Sequence, residues 1–161
     1  MSDRPVYEWE LEGSLHVWHY PERVKGMEGW HLNADEPACR SMADLVDRML
    51  ASEGEVQRRI PVSAPGRMRV APGHRWEPAT KLLLRFPNGE AEDDHWHLEL
   101  REGNVLALTL GAAKLRQFKE SLLSLPHWKD DYALGPDVEL RRAPGRERWR
   151  RECLWFWTKV E

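Results

Sequence analysis

The chain has only two cysteines, Cys39 and Cys153, far apart in sequence and with no partner at metal or redox spacing. That excludes a disulfide scaffold and a CxxC centre. No apolar run approaches the roughly 20 residues that a membrane-crossing helix needs. The opening Met1-Ser2-Asp3-Arg4-Pro5 runs straight into charged and aromatic residues, so no secretory leader is expected and both thiols should stay reduced in a cytoplasm. Lysine is scarce, 6 against 18 arginines, a bias that reads as genome composition of a bacterial kind. A net charge of −3 leaves no global field to draw the protein onto DNA or anionic lipid. The sequence also lacks a Gly-x-Ser-x-Gly elbow, a phosphate-binding loop and a dinucleotide fingerprint, which removes the common routes to nucleophilic and nucleotide chemistry.

What remains is a chain of ordinary globular composition, 41% hydrophobic and 32% charged, whose 161 residues suit a single domain over 1–161. Nine tryptophans are many for this length, and tryptophan serves both cores and recognition surfaces. Alternation predicts strands over 7–11, 15–20 and 30–34, with a turn over 21–29. Ser41-Met42-Ala43-Asp44 has the form of a capping box, and Met42, Leu45, Val46, Met49 and Leu50 then follow the spacing of one helical face. Strands are expected over 56–62 and 80–86, on either side of a proline-rich loop. A hairpin follows over 95–101 and 104–110, turning at Glu102-Gly103. A second helix over 112–124 carries Leu115, Phe118, Leu122 and Leu125 inward, and the C-terminal part holds strands near 138–142 and 153–160.

These elements predict an α+β fold, a two-layer sandwich with one curved, mainly antiparallel sheet and two main helices on one face. The sequence also compares with itself at an offset of 66. Tyr20-Pro21 and Trp30-His31-Leu32 match Phe86-Pro87 and Trp96-His97-Leu98, which suggests a duplicated ββα unit. Along such strands the Trp/Leu side should face the helices, and His31, His95 and His97 should face water, a partner or a ligand.

Three groups of residues are candidate sites. His95 and His97 share one face of a strand, the geometry of a metal chelate, with a solvated polar face as the plain alternative. Gly89, His95, His97 and Glu102 fall at the spacing Gly-x5-His-x-His-x4-Glu, which resembles the first cupin motif, although Thr109 replaces its closing glycine. The resemblance implies a β-barrel and a divalent metal held by His95, His97 and Glu102.

The second group is the basic run 141–151, six arginines against one glutamate, where Arg146, Arg148, Trp149 and Arg150 join Arg67, Arg69, His74, Arg75 and Trp76 of the proline loop. Arginine forks with interleaved tryptophan suit nucleic acid. The third is acidic: Glu90, Glu92, Asp93, Asp94, Glu99 and Glu102 within 88–104, and Asp3, Glu8, Glu10 and Glu12 near the start. Segregated charge of this kind steers a protein partner. Cys39, beside Arg40 near a helix start, has the setting of a stabilised thiolate.

The expectation drawn from all this is a non-catalytic cytoplasmic protein, monomer or homodimer, that recognises a protein partner through segregated charge and aromatic surface. It needs no cofactor and no membrane. The alternatives are a cupin-like, metal-dependent activity and nucleic-acid binding.

Overall fold

The computed structural model describes residues 5–21, 29–63, 76–127, 132–136 and 152–157. In chain order they form β1 (Leu15–His19), β2 (Trp30–Ala34), α1 (Glu36–Leu50), β3 (Val56–Pro61), β4 (Glu77–Pro78), β5 (Lys81–Phe86), β6 (Trp96–Arg101), β7 (Val105–Leu110), α2 (Ala112–Ser124), β8 (Tyr132–Leu134) and β9 (Leu154–Phe156). The expected α+β class is what these residues adopt. In place of the single curved sheet expected, their strands divide between two open, mixed sheets, ordered β4-β1-β2-β9-β8 and β3-β5-β7-β6. The closed barrel that the cupin resemblance implies is therefore not what these strands form.

Two parallel contacts determine the topology. β2 pairs in parallel with β9, and β5 pairs in parallel with β7; all other ladders are antiparallel. The chain thus reads hairpin–helix–hairpin twice: β1-β2, α1, β3-β5, then β6-β7, α2, β8-β9. Within the first half only the short β4, in the β3–β5 connection, pairs with β1, and β3 and β5 lie in the other sheet. Each hairpin pairs with a hairpin of the other half, so the halves are interlocked.

The repeat extends to single hydrogen bonds. Asp35 N donates to Ser14 O at 3.1 Å and Cys39 N to Asp35 O at 2.9 Å. Likewise Gly111 N donates to His95 O at 2.9 Å and Leu115 N to Gly111 O at 2.9 Å. In this register Cys39, Met42 and Val46 of α1 correspond to Leu115, Phe118 and Leu122 of α2, all buried. A ββα unit does recur, but the equivalence runs from β2 to β7. The Trp-His-Leu triplets at an offset of 66 fall instead on the central β2 and the edge strand β6.

One continuous apolar cluster joins both helices to the inner faces of both sheets. Trp30, Leu32, Trp96 and Leu98 belong to it, as the alternation predicts. Lys119 of α2 reaches Asp47 of α1 at 2.6 Å across the helix pair. Helix α1 starts at Glu36 rather than beside Ser41, because the Asp35 carboxylate accepts from Ala38 N at 2.9 Å and Pro37 suits the first turn. Ser41 has another task. Its Oγ donates to Glu10 O at 3.2 Å and accepts from Glu12 N at 3.1 Å. These bonds, with Trp9 Nε1 donating to Ser41 O at 2.7 Å, bind the N-terminal segment to α1. That segment opens with a 3₁₀ turn, Val6–Glu8, where alternation predicts a strand. The expected strand over 138–142 lies outside the described residues.

Candidate functional site

Strand alternation gives the five-stranded sheet a second face, opposite the core, and that face is aromatic. Register places Trp18, His31 and Trp155 side by side across β1, β2 and β9, with Pro78 and Ala133 at the ends of the row. Below them stand His16 and Asn33, paired across β1 and β2.

His31 is fully buried here. Its ring stacks on Trp18 at 5.4 Å, meets Tyr20 edge-on at 5.2 Å and lies 5.7 Å from Trp157. Trp157 Nε1 donates to His31 Nδ1 at 2.7 Å, so a neutral His31 carries its proton on Nε2. Asn33 Nδ2 donates to the Trp157 carbonyl at 2.6 Å and fixes the end of β9. The expectation that His31 faces water or a ligand is thereby corrected, since rings enclose it.

Among the described residues, two buried polar atoms of this face have no hydrogen-bond partner: the indole N–H of Trp18, a residue only 1% exposed, and Nδ1 of His16. Burial lowers the His16 pKa, against the Ser63 backbone and the Asp35 charge. His19 projects from the other side of β1, stacked on Trp30 at 4.3 Å and 3.4 Å from Glu77. Its pKa is also lowered by burial, with Glu77 opposing. Trp155, Trp157, His16 and Asn33 remain half-buried, so the aromatic face presents ring surface at its margin. Such a margin offers flat apolar ring surface.

The expected metal residues do not converge among the described residues, where no group of three or more His, Cys, Asp and Glu is placed to hold a metal. What gathers at His97 is Glu99, 3.2 Å from Nε2, and Glu152, 3.6 Å from Nδ1. Glu99 also binds Arg101 at 2.8 Å; Arg101 and then His97 hold the Glu99 carboxyl below its usual pKa. His95 is half-buried beside the start of β6, and Glu102 is exposed in the β6–β7 turn.

Of the basic candidates, Arg67, Arg69, His74, Arg75, Arg146, Arg148, Trp149 and Arg150 lie outside the described residues. Trp76 is half-buried, two residues before Pro78, which pairs with Trp18. Part of the acidic segment has a structural task. The Asp93 carbonyl accepts from Ala113 N at 2.9 Å, and the acids around it stand at the positive end of α2. Glu8, Glu10 and Glu12 line a cleft of about 420 Å³ against Arg40, Asp44 and Arg48 of α1.

Cys39 is not a poised thiolate. It is buried, and burial with the Asp35 and Glu36 charges pushes its pKa to about 12.

Sequence reasoning missed the assembly of Trp18, His31 and Trp157. Its trace was the pattern His16-x-Trp18-x-Tyr20, His31-x-Asn33 and Trp155-x-Trp157, rings and polar groups alternating against a side that is apolar except for His19. Comparison of the chain with protein-family models, curated proteins and solved structures finds no match.

Proposed function

We propose that the protein is a non-catalytic recognition module of the cytoplasm that binds a protein partner through the aromatic face of its five-stranded sheet. The supporting observation is the row Trp18–His31–Trp155 with Trp157 beside it, deeply packed at the centre and half-buried at Trp155 and Trp157. Tryptophan dominates interface energetics because one rigid ring buries a large area at small entropic cost. Among the described residues no helix is long and apolar enough to cross a membrane.

Trp155→Ala tests the reading in a pull-down, with a thermal melt as the folding control. Loss of a hot-spot ring costs about 2 kcal/mol or more, a roughly 30-fold weaker complex, so a stoichiometric partner should drop out. A partner retained by a folded Trp155→Ala protein contradicts the proposal. The alternative is a divalent metal held by His95, His97 and Glu102, although among the described residues no three such side chains converge. Native mass spectrometry of protein purified without chelator should give the bare chain mass; one metal per chain would favour the alternative.

A further inference from the structure

Among the described residues, the two sheets end on β4, β8, β3 and β6, and three of these edges are short or guarded. β4 has two residues and contains Pro78, and β8 has three residues. β3 ends on Pro61 and has the Val6–Glu8 turn against it, where Arg58 Nη1 donates to Tyr7 O at 3.4 Å. Strand β6 is different, with six residues and no proline. Gly111 N donates to His95 O, which sets the alternation of the β6–β7 ladder. His97, Glu99 and Arg101 turn their backbone groups to β7, while Leu98 and Leu100 turn theirs outward. Nothing among the described residues bonds to those outward amides and carbonyls. Leu100 is also 45% exposed, where Leu98 on the same face is 6%.

A bare edge of this kind is completed by another strand, and the charges of β6 suit its own copy. In a two-fold antiparallel pairing, the axis must pass through a residue if facing side chains are to share one side of the sheet. With the axis at Leu100, Glu99 of each copy stands opposite Arg101 of the other. Within one copy Glu99 already holds Arg101 at 2.8 Å, so the four side chains form a square whose sign alternates at every corner. The outward backbone groups of Leu100 then bond reciprocally, and the two exposed Leu100 side chains cover each other. An axis at Glu99 or at Arg101 sets like charges face to face. An axis at Leu98 sets Arg101 against His95 and meets an obstacle. Glu152 touches Trp96 through its carbonyl and His97 through its carboxylate, on opposite faces of β6, so it stands at the open edge there. Pairing about Leu100 uses residues 98–102 and stops short of it.

We infer that the open edge of β6 pairs with β6 of a second copy about Leu100, in an isologous dimer that joins the two four-stranded sheets into one. An extended peptide of another protein is the competing occupant. It could supply the backbone bonds but has no claim on the reciprocal Glu99–Arg101 pairs.

The test is sedimentation velocity at rising protein concentration. The expected result is a monomer–dimer equilibrium in the micromolar range, as suits a small interface. Arg101→Glu turns two attractive cross-strand pairs repulsive and should weaken the dimer roughly tenfold or more. Glu99→Arg should do the same, and the combined charge swap should restore it. Leu100→Pro removes the outward N–H and leaves the ladder to β7 in place, so it should give a monomer. Its melting temperature, read at a concentration where the unchanged protein is monomeric, checks that it folds. Trp155→Ala should leave the dimer unaffected, which separates this inference from the protein-recognition reading. A chain that stays monomeric at every concentration overturns the inference and leaves the edge to a peptide. So does a dimer that survives Arg101→Glu or Leu100→Pro, or a folded charge-swapped protein that remains monomeric.

Discussion

Gly13 and Gly111 occupy equivalent close approaches at the two helix starts, with the roles of their neighbours exchanged. At α1 the cap is a side chain: Asp35 accepts from Ala38 N and from Ser14 N at 2.9 and 3.0 Å, so the residue pressed against it must be Gly13. Gly13 also has φ +79°, which other residues resist. At α2 the acceptor is the Asp93 carbonyl, and the cap itself must be Gly111, where a Cβ would strike Glu92 O and Asp93 O. Gly13→Ala and Gly111→Ala should each cost about 2–3 kcal/mol in denaturant titration, and Asp35→Ala about 1–2 kcal/mol. The buried Cys39 thiol should resist alkylation at pH 8 in the native protein and react once it unfolds. His16 and His19 set a pH dependence. Both have folded pKa values below the ordinary 6.5, so the unfolded chain takes up protons first as pH falls through 6.5. Stability should therefore be lower at pH 5.5 than at pH 7.5, and His16→Gln should flatten that loss.

Elements were legible wherever their signals were local. Helix α2 occupies the residues its spacing predicts, and the β6–β7 hairpin turns where Glu102-Gly103 indicates, with Gly103 at φ +78°. The start of α1 was misplaced because Ser41 has the chemistry of a cap, yet Asp35 reaches the free amides first and Ser41 instead binds the N-terminal segment. Residues 7–11 alternate like a strand, but Trp9 is buried against the flank of α1 and, among the described residues, no strand pairs with them. Phe118, buried in α2 against Phe156 of β9 at 6.0 Å, joins a helix to the sheet of the opposite hairpin pair. Phe118→Ala should cost about 3–5 kcal/mol, read as a lowered denaturation midpoint.

At the scale of the whole molecule, the interlocking of two hairpin–helix–hairpin halves explains what the sequence withheld. Each half's hairpins complete the other's sheets, so the partners of β2 and β7 are distant in the chain. Period-two patterning tells which face of a strand is apolar; it cannot tell that Trp157 will arrive beside His31. The same topology predicts that the chain can be divided. Separate fragments 1–90 and 91–161, co-expressed, should copurify and melt as one species, whereas either alone should expose its unpaired hairpins and aggregate. The aromatic outer face is likewise a product of pairing across the halves. The most direct test of the aromatic face is hydroxyl-radical footprinting of the protein alone and bound to a partner recovered by pull-down. Binding through this face should lower the reactivity of Trp155 and Trp157 in the complex. Unchanged reactivity at both tryptophans, with protection confined to other surfaces, would contradict it.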